Sequence, residues 1–150
     1  MNDTHIWLFD TTLRDGGQTR GVDFSVSDKI AISQALDEFG IDYIEAGWPG
    51  ANPTDDQFFE TPPALKNSSL VAFGMTRRGG RSTDNDPGFN AIINAQTDAT
   101  CLVGKTWDFH VKTALNISHE ENLRMITESL KAAGAKGREP MFCLLYTSDA

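Results

Sequence analysis

Short apolar runs alternate with amphipathic stretches along this chain, and turn-forming residues separate them. Residues 6–9, 41–46, 70–75, 99–104 and 141–146 are brief and rich in β-branched or aromatic side chains, which predicts strands. Between them lie helical signatures. Ser25 with Asp28 makes an N-terminal capping pair, Ile32, Ala35, Leu36 and Phe39 form an i, i+3, i+4, i+7 stripe, and Gly40 supplies a stop. A short polar helix is expected after Pro53 and another over residues 88–95. Ser118 with Glu121 predicts a capping box opening a long helix, with Leu123, Ile126, Leu130 and Ala133 on one face and Gly134 and Gly137 at its end.

The order is β then α, repeated about four and a half times, and such alternation predicts parallel strands with helices packed outside them. A complete (β/α)8 barrel takes about 250 residues, more than the 150 present. Two architectures meet the pattern: a small doubly wound sheet, or the N-terminal half of a TIM barrel. Both place ligand chemistry in the loops that follow the strands.

Composition narrows the function classes. A net charge of −8 and a pI near 4.7 exclude a nucleic-acid or anionic-membrane surface as partner. No apolar stretch reaches the ~20 residues of a membrane helix, and residues 1–5 lack the basic and apolar parts of a secretion signal, so the expected compartment is cytoplasmic. Cys101 and Cys143 sit far apart in apolar runs, which favours two buried, reduced thiols over a disulfide or a metal pair.

The polar loop of residues 10–21 holds the densest candidate chemistry. Asp10, Arg14, Asp15 and Gln18 fall close together beside Gly16 and Gly17. A carboxylate at a strand end can ligate a hard divalent cation, an arginine can fork onto a substrate carboxylate, and glycines admit a ligand to the backbone. The same residues also make an ordinary polar turn with a surface ion pair, and composition does not separate the two. Glu45 lies near the end of a buried strand, where an unpaired carboxylate is costly; Arg14 is its candidate partner, which would make the pair part of one site. His110 follows the fourth strand, where a lone histidine is more often structural than functional. Arg77, Arg78 and Arg81 form the one basic cluster, read here as a solvated loop rather than a phosphate site.

The run Asp10-Thr11-Thr12-Leu13-Arg14-Asp15-Gly16-Gly17-Gln18 resembles the signature that opens the barrel of the family containing 2-isopropylmalate synthase, homocitrate synthase, citramalate synthase and hydroxymethylglutaryl-CoA lyase. Tyr43-Ile44-Glu45-Ala46-Gly47-Trp48-Pro49-Gly50-Ala51-Asn52-Pro53, Phe73-Gly74-Met75-Thr76-Arg77-Arg78 and Lys105-Thr106-Trp107-Asp108-Phe109-His110-Val111 are similar to the citramalate synthase branch. The likeness runs over residues 7–142. It implies the N-terminal half of a TIM barrel. It also implies a divalent metal (Zn, Mn or Mg) on Asp15, Arg14 as the catalytic arginine that orients a 2-keto acid, and Gln18 and His110 lining the substrate pocket, with Glu45 expected as the second catalytic residue. Asp10 resembles a supporting acid. The implied activity is a Claisen-type condensation of acetyl-CoA with pyruvate in branched-chain amino-acid biosynthesis, carried out by a homodimer. Isopropylmalate synthase, homocitrate synthase and lyase activities are the related alternatives, and a non-catalytic metabolite-binding βα domain is the alternative of another class.

Two departures stand against that pattern. The family's metal site resembles one carboxylate with a His-x-His pair, and this sequence contains no His-x-His. After Met141-Phe142 the sequence Cys143-Leu144-Leu145-Tyr146-Thr147-Ser148-Asp149-Ala150 leaves the family pattern and resembles translated adapter read-through. The expectation is a partial barrel over residues 1–142, a non-native tail over 143–150, and no activity in the chain as written. Sequencing the encoding DNA checks this. An unbroken coding frame through these codons to a supported stop after Ala150 would contradict it.

Overall fold

A computed structural model describes residues 5–145. Five strands form one sheet: β1 (Phe9–Asp10), β2 (Tyr43–Gly47), β3 (Ser69–Met75), β4 (Ala99–Lys105) and β5 (Glu139–Leu145). All neighbours pair in parallel, and the spatial order is the chain order. The helices between them are α1 (Val26–Phe39), α2 (Pro53–Glu60), α3 (Pro87–Asn94), the short α4 (Asp108–His110) and α5 (His119–Ala135).

The strand order decides between the two expected architectures. A doubly wound sheet reverses its order and carries helices on both faces, whereas a barrel adds each strand beside the last and keeps every helix outside. Here Ile44, Ala46, Leu70, Ala72 and Leu102 pack in one cluster with Phe58, Phe89, Ile92 and Ala133 from α2, α3 and α5. The opposite face holds Val71, Ala99 and Cys101 with Tyr43 and Met141. The sheet is the curled N-terminal half of a TIM barrel, with its helices on the convex side.

Local rules explain most element ends. Ser25 accepts from the Asp28 N–H while the Asp28 carboxylate accepts from the Ser25 N–H, a complete capping box. Gly40 closes α1 with φ +91°, a left-handed position where a side chain would be strained. Asn52 and Asp86 cap α2 and α3, each followed by proline in the first turn. After α4 the chain widens into a π-helical turn (Val111–Leu115) and leaves it through Asn116 at φ 52°.

Several expectations are corrected. β1 is only Phe9–Asp10, with the Leu8 N–H taken by the Asp42 carboxylate instead of a strand partner, and Ile6, Trp7, Leu8 and Phe9 are exposed. α1 buries Lys29, Ser33 and Asp37, with Ile32 and Leu36 at the margin and Ala35 and Phe39 exposed, since buried polar partners rather than the apolar stripe set its rotation. In α5 Leu123 is exposed, and Ser118 caps the Glu121 N–H without a reciprocal bond because Arg77 and Arg124 hold the Glu121 carboxylate. The fifth strand starts earlier, at Glu139, and Cys143 on this edge strand is exposed rather than buried; Tyr146 and the residues after it lie outside the described residues.

Asp37 ties α1 to the segment before β3. Its carboxylate accepts from the backbone N–H groups of Lys66, Asn67 and Ser68 at 2.7 to 3.1 Å. Burial alone would raise this carboxyl, but those three donors outweigh it and hold it down at about 2, against an ordinary 3.8. The folded state therefore binds fewer protons than the unfolded one, so the stabilisation is complete above the ordinary value and is lost as pH falls through 3.8 to about 2. Denaturant unfolding of wild type and Asp37→Asn should show a stability gap that closes through this window. A gap independent of pH would contradict the assignment.

Candidate active site

The loop after β1 is wound tightly so that Arg14 faces the ends of the neighbouring strands. The Thr11 carbonyl accepts from the N–H groups of Arg14, Asp15 and Gly16, and the Asp10 carboxylate accepts from the Thr12 amide and hydroxyl at 2.9 and 3.0 Å. Leu13 is buried in the helix-side core, which anchors the turn and leaves Arg14 on the other side. Arg14 Nε then donates to Glu45 Oε2 at 2.7 Å, its Nη1 donates to Asp15 Oδ1 at 3.0 Å, and its Cζ lies 4.1 Å from the centre of the Phe73 ring. A guanidinium held on an edge by a carboxylate and on a face by an aromatic ring has little freedom left. Among the described residues no hydrogen bond reaches its Nη2.

Glu45 is 1% exposed. Burial lifts its carboxyl above the ordinary 4.5, and the hydrogen bond and charge of Arg14 pull it part of the way back. Beside it stands the Cys101 thiol, pushed up to about 12 by burial and then by the Glu45 charge, so this cysteine is a neutral neighbour and not a nucleophile.

The loop after β2 is fixed by a second buried ion pair. Lys29 Nζ donates to the Asp55 carboxylate and, at 2.7 Å, to the Ala46 carbonyl. Asp55 Oδ2 accepts from the Trp48 N–H at 2.8 Å and from the Asn52 amide at 3.0 Å. Gly47 lies so close that a Cβ there would sit 2.6 Å from the Asp55 carboxyl carbon, so only glycine fits. The Trp48 indole meets the Phe73 ring edge-on at 5.4 Å. Between the two loops opens a cavity of about 330 Å³ bounded by Arg14, Gln18, Phe24, Lys29, Trp48 and Asp55.

The structure thus brings together Arg14, Asp15 and Glu45, and places Gln18 on the wall of the Arg14 cavity. It groups His110 instead with Trp107 (ring centres 4.6 Å apart) and Phe109 (6.1 Å), with its Nδ1 buried and without a hydrogen-bond partner. The arginine cluster divides: Arg78 and Arg81 are exposed, while Arg77 is buried against Glu121 and Glu128 at 3.0 and 2.7 Å and locks the loop after β3 to α5. The placement of Phe73 and Cys101 beside Arg14 and Glu45, and the Lys29–Asp55 pair, could not be read from the sequence. The lysine had a weak signal, since it lies on the same side of α1 as Ser33 and Asp37.

Asp15 was expected to ligate a metal. Its side chain is 61% exposed and one oxygen is already engaged by Arg14. Among the described residues no group of three His, Cys, Asp or Glu stands where it could hold an ion, so the donors present do not fit a complete metal site.

The sequence profile of the HMGL-like family matches residues 5–150. This chain belongs to the HMGL-like family. The HMGL-like chain is 50% identical to the (R)-citramalate synthase of Geobacter sulfurreducens over 126 residues, 83% of this chain and 24% of that protein. It is 38% identical over 132 residues to a probable 2-isopropylmalate synthase of Methanopyrus kandleri, 87% of this chain and 25% of that protein. It therefore spans about a quarter of the length of these relatives. Among solved structures, a hydroxymethylglutaryl-CoA lyase from Pseudomonas aeruginosa superposes with a TM-score of 0.67 at 19% identity, covering 91% of this chain and 45% of that one, which establishes a shared fold. No helix among the described residues is long and apolar enough to cross a membrane.

The Arg14–Glu45 pair makes a signed prediction. Arg14→Met leaves a buried carboxylate without its partner, a loss of roughly 3–5 kcal/mol at neutral pH. Because the hydrogen bond and charge of Arg14 pull the buried Glu45 carboxyl down, removing Arg14 lets that carboxyl rise further, the folded variant binds more protons than the folded wild type, and the deficit should fade as pH falls. Urea unfolding at two pH values reads this directly, and an equal loss at both would contradict it.

Proposed function

We propose that this chain is the N-terminal catalytic part of a citramalate synthase, an acyltransferase that joins acetyl-CoA to pyruvate. The supporting observation is Arg14, pre-set by Glu45 and Phe73 at the C-terminal end of the strands, within a chain 50% identical to a citramalate synthase. In the proposed reaction the acetyl methyl group gives up a proton, the carbanion adds to the carbonyl carbon of pyruvate, and water cleaves the thioester to release coenzyme A and citramalate.

Arg14 would bind the keto-acid carboxylate and lie near the oxygen on which negative charge develops, where a fixed positive group is most effective. Glu45 acts through Arg14 as a positioning residue. Gln18 lines the same cavity; His110, packed with Trp107 and Phe109 after β4, is a candidate substrate contact on the family resemblance alone. A divalent ion on Asp15 needs further donors, which would come from the length of the relatives that this chain does not span; the roles of Arg14 and Glu45 do not depend on it. A homodimer in the cytoplasm completes the proposal. A 2-isopropylmalate synthase is the second reading, favoured by the Methanopyrus kandleri relative, and it would differ in taking 2-ketoisovalerate.

The test uses a clone extended to the relatives' full length and measures free thiol released from acetyl-CoA. Pyruvate should stimulate release above 2-ketoisovalerate and 2-ketoglutarate, and Arg14→Lys should lower turnover by about a hundredfold. Well-folded protein with no keto-acid-dependent release, or Arg14→Lys at wild-type rate, would overturn the proposal.

A further inference from the structure

A second cavity, of about 240 Å³, lies between the sheet and the tops of α3 and α5. Met75, Phe89, Ile92, Leu115, Ile117 and Met125 give it an apolar lining. Among the described residues, Trp48 is the one that bounds both this space and the cavity of Arg14. It therefore stands at the partition where a polar space and an apolar one come together. Three observations make the partition rigid. The Trp48 N–H is held by Asp55 at 2.8 Å, and Asp55 is itself neutralised by buried Lys29. Gly47 has no room for a side chain, which fixes where the loop leaves β2. The indole rests edge-on against Phe73, the same ring that carries Arg14, and its Nε1 would lie 3.3 Å from a Cβ at Gly74.

We infer that Trp48 sets the length of the 2-keto acid side chain that the site accepts, by closing the apolar cavity behind it. This inference rests on the keto-acid role proposed for Arg14. A substrate whose carboxylate is held at Arg14 must send its alkyl group away from the charged wall formed by Lys29 and Asp55. The nearby apolar volume lies beyond the Trp48 indole, so with tryptophan in place only a short alkyl group fits. A smaller side chain at position 48 joins the two spaces. Discrimination of this kind is limited to the contribution of each added methylene, on the order of tenfold or more.

The experiment compares kcat/KM for pyruvate, 2-ketobutyrate and 2-ketoisovalerate in the full-length protein and in Trp48→Leu and Trp48→Phe. The preference for 2-ketobutyrate over pyruvate should rise about tenfold in Trp48→Leu and by less in Trp48→Phe, whereas Arg14→Lys should lower all three substrates alike. Should Trp48→Leu fail to fold, the milder Trp48→Phe still reads the direction. Turnover of pyruvate with preferences unchanged within about twofold in the folded variants overturns the role of Trp48 alone. Wild-type protein that turns over none of the three acids overturns the keto-acid reading together with this one.

Discussion

A carboxylate buried at the end of a parallel strand has to be compensated, because taking an ion out of water costs several kcal/mol even after the protein relaxes. Glu45 is that carboxylate here, and much of the site follows from how it is satisfied. Its partner must be a cation within hydrogen-bonding reach, which draws Arg14 over the top of β2 and requires the tight turn that Thr11 and Asp10 shape. Phe73, one strand further, gives the guanidinium a face to lie on. The loop after β2 repeats the device, with Lys29 and Asp55 buried together under Trp48. Two ion pairs thus hold the two loops that bound the cavity of Arg14.

Burial also sorts the acids by role. Glu45 is shielded from solvent and paired with Arg14. Asp15, one residue beyond Arg14, points its carboxylate toward solvent and keeps it open to further contacts. Arg77 shows the structural use of the same chemistry: burial works against its charge, Glu121 and Glu128 outweigh that and hold its proton more firmly, and the result is a strut between the loop after β3 and α5.

Much of this was legible in the sequence. The alternation of apolar runs and capped helices predicted parallel strands with outer helices, and the Asp10–Gln18 run pointed to the half-barrel that the strand order then established. The Arg14–Glu45 pair followed from the cost of an isolated buried acid. What escaped depended on side chains meeting across elements. The rotation of α1 is set by Lys29 reaching Asp55 and by Asp37 reaching three amides, so its apolar stripe misled. Phe73 and Cys101 look like ordinary strand residues until the sheet curls and brings them toward Glu45 and Arg14. The arginine cluster could not be divided from sequence because only α5 distinguishes Arg77 from its neighbours.

Arg14 is fixed before any ligand arrives, and side-chain ¹⁵N NMR of the free protein can read that order. The Arg14 Nε–H donated to Glu45 should give its own resolved, slowly exchanging signal, which disappears into the averaged arginine envelope in Glu45→Gln. An Arg14 signal already averaged in the wild type, or unchanged when Glu45 is replaced, would contradict the account.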